Sequence, residues 1–299
     1  MHIRNIDRVL VYREVRDHVF TLEEIARDYP IVPAGTLIYY GFGEKNVQHY
    51  RKTGSALNGD HRTVVENLLR TLRASPDDEK TFQLVVGPTE KEPFAYVAAH
   101  MGVMRQLAVE LAEYQAQALA MGKRLNVVVR YASEMNSGTW VYAGDPHSFK
   151  PSFIAVRRVF AEHAARIVFP FSPGIRADTL VEDIAPYWPG EEHVDVIGAT
   201  WYVHGEAQRA RGMANMREYF LKPLARGKPF AVDEFGGAEG YGSGEPGSKY
   251  EKNDVMLEAM LHELEELRLH GVSFAYGTIF LDDGKYGVDA TLRFLRPSS

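Results

Sequence analysis

The chain has 299 residues, 45% of them apolar and 25% charged, with 26 glycines, 15 prolines and no cysteine. This is the composition of an ordinary folded protein, long enough for an α/β barrel of roughly 250 residues, and it excludes disulfides, thiolate nucleophiles and cysteine zinc sites. A net charge of −6 with no cluster of Lys or Arg argues against nucleic acid as a partner, and no stretch approaches the roughly 20 apolar residues of a membrane span.

The N-terminus, Met1-His-Ile-Arg-Asn-Ile-Asp-Arg8, is charged and lacks the apolar core of a signal peptide, which points to a cytoplasmic protein. A secreted protein whose leader has been removed would read the same way. Residues 9–12 form a short apolar run, a first strand. Thr21-Leu-Glu-Glu24 opens a short helix with a capping box. Residues 35–43 read as a strand with a glycine-rich exit, and the polar stretch 44–60 as a loop over one end of the fold. Helical spacing of Val64, Val65, Leu68, Leu69 and Leu72 predicts a helix over 61–74, followed by a strand over 81–88. A long helix is expected over 93–121, breaking near Gly102.

Next comes an apolar strand, 125–132, then a loop, and a helix around 151–165. Residues 166–171 read as a strand, 172–189 as a loop, and 193–202 as another strand, with a helix near 213–225. A strand over 230–235 leads into a glycine-rich loop, 236–248. A helix over 253–269 and a strand over 272–280 end the series. Eight apolar strands alternating with helices imply right-handed βαβ units and a parallel sheet. In this length they predict a single (β/α)8 TIM barrel over residues 1–299. No Gly-x-Gly-x-x-Gly or phosphate-cradling loop follows an early strand, so a nucleotide-binding sheet lacks its signature.

Two strands share one grammar. Leu125-Asn-Val-Val-Val-Arg130-Tyr-Ala-Ser-Glu134 and Lys228-Pro-Phe-Ala-Val-Asp233-Glu234-Phe-Gly236-Gly237 each deliver a glutamate where the apolar run stops. The C-terminal ends of barrel strands carry the chemistry. By count Glu134 leaves the fourth strand and Glu234 the seventh, so the two can converge on one sugar. A carboxylate pair about 5–5.5 Å apart serves glycosidic cleavage with retention, provided one is ionised and the other held protonated. Arg130 shares a strand face with Glu134 and is placed to keep a carboxylate ionised. Tyr202, ending the sixth strand, is placed to hydrogen-bond the nucleophile.

These residues also carry a resemblance. Arg130-Tyr-Ala-Ser-Glu134-Met-Asn136-Ser-Gly138-Thr-Trp140 is similar to the acid/base segment of glycoside hydrolase family 26, Arg-x-x-His-Glu-Met-Asn-Gly-x-Trp. Val194-Asp-Val-Ile-Gly-Ala-Thr-Trp-Tyr202 is similar to that family's sixth strand, and Pro229-Phe-Ala-Val-Asp-Glu234-Phe-Gly236 to its nucleophile segment. The likeness spans roughly residues 125–236. It implies a retaining hydrolase of β-mannan, β-glucan or β-xylan type, with Glu134 as acid/base and Glu234 as nucleophile. Ser133 stands where the family has a sugar-contacting His. The family's Trp near the end of the eighth strand is also missing, leaving Tyr276 or Phe280 to fill that place.

The candidate site is therefore Glu134 and Glu234 as catalytic residues, with Arg130, Asn136, Trp140, Tyr202, His204 and Tyr276 as substrate-binding residues. Each of these has a plainer reading. Arg130 suits a barrel-interior ion pair and Asn136 a turn shaped by its own side chain. Trp140 is on a loop and favours sugar stacking, whereas His204 reads equally as a surface histidine. Trp188 suits surface packing and Trp201 the core. Asp233 should point away from Glu234 by strand alternation and be structural. No His-x-x-x-His or Glu-x-x-His spacing suggests a metal, and no cofactor is expected. The partner expected is a carbohydrate, with neither nucleic acid nor membrane, and the oligomeric state is not readable. The competing readings are a non-catalytic carbohydrate-binding barrel and a metal-dependent barrel enzyme.

Overall fold

The apolar runs of the sequence pair in chain order. In a computed structural model, which describes residues 9–15, 18–19, 21–28, 33–138, 140–163, 166–204, 206–238 and 251–281, they form eight parallel strands. These are β1 (Val9–Val15), β2 (Gly35–Phe42), β3 (Glu79–Pro88), β4 (Arg124–Tyr131), β5 in two pieces (Ile167–Val168 and Pro170–Phe171), β6 (Val196–His204), β7 (Phe230–Ala238) and β8 (Phe274–Leu281). Each pairs with the next, and β8 returns to β1 through Val9↔Gly277 and its successors. This is the expected (β/α)8 barrel.

The ring passes through β5 at its narrowest point. Ile167 and Val168 pair with β4, Pro170 and Phe171 with β6. Between them, Phe169 donates its N–H to the Asp195 carboxylate at 2.8 Å, and Pro170 has no N–H to give. The ladder is interrupted for those two reasons.

The main apolar core lies between the sheet and the surrounding helices, and Trp201 is fully buried in it, as expected. Trp188 packs edge-on against Phe171 at 5.2 Å. Inside the ring, Leu10, Val128, Val196, Ala231 and Tyr276 form a small separate cluster. Such an interior is a packed core rather than a pore.

Several expected boundaries move. The stretch read as a polar loop holds a helix, Glu44–Thr53, whose only buried residues are Asn46 and Val47. So few apolar positions leave no periodicity to read, but Gly54 ends it in the left-handed region at φ 73°, with its N–H on the Tyr50 carbonyl at 2.7 Å. The long helix over 93–121 is two, Pro93–Ala99 and Met101–Ala120, parted at His100. The helix expected from residue 151 begins at Pro146, where Asp145 accepts from the Ser148 N–H at 3.0 Å, and Pro151 falls inside it. The loop 172–189 contains the turn Val181–Ile184, and the helix placed at 213–225 is Glu206–Leu221. Gly236 and Gly237 still belong to β7, and residues 239–250 lie outside the described residues.

Candidate active site

Glu234 and Glu134 both reach the C-terminal rim of the barrel, in different surroundings. Glu234 comes from β7, 3% exposed. One oxygen takes the hydroxyl protons of Tyr39 (2.8 Å) and Tyr202 (3.0 Å), and the other is bonded to the guanidinium of Arg130. Three donors thus converge on one nearly enclosed carboxylate.

Arg130 is fully buried and held from several sides. Its Nε and Nη2 donate to Ser172 Oγ at 3.2 and 3.1 Å, and Nη2 donates to Thr200 Oγ1 at 2.7 Å. Burial works against its charge, but Glu234 and Asp233 outweigh burial and hold the guanidinium pKa above its ordinary value. This is the interior ion pair of its plainer reading, one residue before the end of β4.

Glu134 leaves β4 through a tight turn. Ala132 and Glu134 both take left-handed φ, 47° and 57°, which L residues adopt at a cost of order 1 kcal/mol each. Neighbouring strands hold the turn in that form. The Ala132 N–H donates to the Val86 carbonyl and the Glu134 N–H to the Ser172 carbonyl, each at 2.8 Å. The Tyr142 hydroxyl donates to the Ser133 carbonyl at 2.8 Å. Asn136 uses both ends of its amide on Gly174, accepting from its N–H at 2.8 Å and donating to its carbonyl at 2.9 Å. That is the turn-shaping role its residue type predicts.

Burial and then the charge of Glu234 push the Glu134 pKa up, against Arg176, Arg130 and a hydrogen bond from Trp140. Arg176 Nη2 lies 3.5 Å from its Oε2. The two glutamates therefore feel each other, one in a donor-rich pocket and one where protonation is favoured. Such a split is what separates an acid from a nucleophile. Trp140 is 44% exposed beside Glu134 and stacks parallel on Tyr142 with ring centres 6.1 Å apart.

Tyr276 and Asp233 lie together in the interior. Tyr276 is buried, 5% exposed, in the interior cluster, and donates to Asp233 Oδ1 at 2.5 Å. It lies low because β8 continues to Leu281, five residues beyond it. There it supports the Asp233 carboxylate. Asp233 does not point away from Glu234. Asp233 shares the inner face with Ala231, and β7 then bulges, with Val232 opposite Ala199 and Glu234 opposite Thr200, so Glu234 turns inward beside it. Asp233 Oδ2 lies 3.8 Å from Arg130 Nε. His204 ends β6, but its side chain, like that of Phe280, lies outside the described residues.

Tyr39, Ser172, Thr200 and Arg176 were not anticipated. Alternation along β2 would have paired Tyr39 with Leu37 on the inward face, near the strand end. The others show no signal, since single polar residues in strands and loops are common. Among the described residues, no three His, Cys, Asp or Glu side chains group as a metal site and no helix is long and apolar enough to cross a membrane.

Compared with protein-family models and with curated proteins, the chain shows no match. Solved structures do resemble it. An endo-β-1,4-mannanase double mutant from Cellulomonas fimi superposes with a TM-score of 0.67 at 13% identity, over 98% of this chain and 71% of that one. The glycoside hydrolase family 26 catalytic domain of an endo-β-1,4-mannanase from Bacillus sp. JAMB-750 gives 0.60 at 14%, over 93% and 77%. A family 26 β-mannanase from Bacteroides ovatus gives 0.59 at 14%, over 98% and 89%. At these identities the likeness establishes the fold, that of glycoside hydrolase barrels.

Proposed function

We propose that this chain is a retaining β-glycoside hydrolase, acting on a β-linked polysaccharide or oligosaccharide of mannan, glucan or xylan type. The observation that carries the reading is the contrast between two rim carboxylates. Glu234 is surrounded by Arg130, Tyr39 and Tyr202. Glu134 is buried beside that charge with its pKa raised. Barrels of the same fold in mannanases support it.

In this mechanism Glu234 attacks the anomeric carbon while Glu134 gives its proton to the departing oxygen. A glycosyl ester on Glu234 results. Glu134, now anionic, takes a proton from water, which attacks the anomeric carbon and frees Glu234 with the configuration retained. As Glu234 moves into ester formation, Tyr39 and Tyr202 are positioned to pass their hydrogen bonds to sugar hydroxyls or the ring oxygen. Trp140 offers a flat face at the rim for a sugar ring.

The test is hydrolysis of mannan, mixed-linkage glucan, xylan and their aryl β-glycosides by the wild type, Glu134→Ala and Glu234→Ala. Each variant should lose several orders of magnitude in turnover, and activated aryl glycosides should partly spare Glu134→Ala because their leaving groups need no acid. Activity near wild type in both variants refutes the assignment. The Ser133 position favours a second reading, a carbohydrate-binding barrel without catalysis. Oligosaccharide binding with no product over long incubation would select it.

A further inference from the structure

We propose that Asp233 is the reserve counter-ion of Arg130, supplying the balancing negative charge whenever Glu234 is neutral. The identification of when Glu234 becomes neutral rests on its reading as the nucleophile.

The charge count in the barrel interior motivates this. One guanidinium, fully buried, faces two carboxylates, Glu234 bonded to it and Asp233 with Oδ2 at 3.8 Å from Nε. Asp233 is itself fully buried. A buried cation whose only partner is removed is a large destabilisation. Glycosylation does just that to Arg130: the new bond from the Glu234 oxygen to the anomeric carbon consumes the carboxylate's charge. The leaving oxygen departs with its electron pair and the Glu134 proton. Asp233, ionised, then leaves the Arg130 site neutral. Any proton it held in the free enzyme passes to solvent as the pair re-equilibrates.

The surroundings of Asp233 fit a group that can hold either state. The groups acting on it are Arg130 from β4, Glu234 beside it on β7, Tyr276 from β8 and the Ser172 hydroxyl after β5. The Tyr219 hydroxyl, from the helix Glu206–Leu221, donates to the neighbouring Gly198 carbonyl at 3.0 Å. Tyr276 steadies Oδ1, while Oδ2 makes no hydrogen bond to a described residue. Burial and Glu234 push its pKa up, Arg130, Ser172 and Tyr276 pull it down. Loss of the Glu234 charge removes one of the upward forces. Asp233 faces inward with Ala231 by ordinary alternation, and the bulge after Val232 brings Glu234 to the same side, so both carboxylates meet Arg130. Gly198 makes room for Asp233, because a Cβ there would sit 1.8 Å from Oδ2.

A double-mutant cycle tests the proposal without any substrate. Glu234→Gln mimics the neutral, esterified nucleophile. Thermal midpoints of wild type, Glu234→Gln, Asp233→Asn and the double variant are measured from pH 4 to pH 8. Glu234→Gln should remain folded near neutrality with a modest midpoint change, and Asp233→Asn likewise. The double variant should fall well below the sum of the singles, with coupling of at least about tenfold in the unfolding constant. Relative to wild type, Glu234→Gln should gain stability as pH rises through the carboxylate range, and that gain should vanish in the double variant. Additive midpoints across the range overturn the proposal. Should Asp233→Asn fail to fold, Tyr276→Phe, which removes the hydrogen bond that steadies the Asp233 anion, must destabilise Glu234→Gln more than it does the wild type. Equal effects overturn the proposal as well. In turnover, Asp233→Asn should accumulate less covalent adduct from a 2-deoxy-2-fluoro aryl β-glycoside. A wild type that forms no adduct refutes the glycosidase reading alone, and the thermal cycle still decides the role of Asp233.

Discussion

Replacing Arg130 by Met keeps most of its volume and removes the positive charge set against Glu234 and Asp233. The guanidinium contributes its bond to Glu234, two to Ser172 Oγ and one to Thr200, and all of these groups are buried. Breaking a buried pair by removing one partner costs about 3–5 kcal/mol. For a domain of this size that is about 6–20 °C in melting temperature. The sign of the pH dependence follows from the carboxylates. Burial already raises the Asp233 pKa and Arg130 opposes that rise, so without Arg130 it climbs further above its unfolded value, about 3.9. The penalty is then absent below that value and grows as pH rises from it through the folded one. Calorimetry of wild type and variant at pH 4.5 and pH 7.5 should show a deficit at pH 7.5 that shrinks at pH 4.5. A fall under about 2 °C at pH 7.5, or an equal fall at both values, would refute the ion-pair account.

Tyr39→Phe removes one hydrogen bond to a carboxylate, about 1.5–3 kcal/mol, so kcat/KM on an activated aryl β-glycoside should drop roughly 10- to 150-fold, and the thermal midpoint should fall as well. Tyr202→Phe combined with it should be non-additive, because both hydroxyls meet the same oxygen. Glu134→Gln should raise the melting temperature at pH 7–8 and not at pH 4. The raised Glu134 pKa makes the anion costly only above the unfolded value, so the amide's advantage appears as pH climbs. The alkaline fall of wild-type kcat/KM should also disappear from its residual activity. Gly198→Ala should lower stability by about 1–3 kcal/mol, read as a shifted denaturant midpoint. Its methyl drives into Asp233.

The barrel was legible because buried parallel strands are continuous apolar runs with a helix after each. Residues 125–131 and 230–235 announced themselves that way, and the seven-residue gap between expected and observed starts of the helix at Glu206 marks where polar helices do not. The glutamates were legible through their place at strand ends. What escaped was whatever depends on depth and on broken periodicity. Alternation cannot count a bulge, so Asp233 and Glu234 were put on opposite faces. It also cannot give depth along a strand, so it left Arg130 open between the cleft and the interior and did not place Tyr276 against Asp233. Tyr39, Ser172 and Thr200 join the site only through the closure of the ring, which brings β2, the exit of β5 and β6 around one guanidinium.

The clasp between Asn136 and Gly174, with the Glu134 N–H on the Ser172 carbonyl, crosses the midpoint of an eightfold barrel. The turn that aims Glu134 is encoded in the first four strand–helix units but shaped by the fifth. A fragment cut between the halves would carry Glu134 on a turn with no template, and its left-handed residues would relax. Two such fragments, mixed, would regain that turn only when they meet, so its formation reports docking of the halves rather than folding of either.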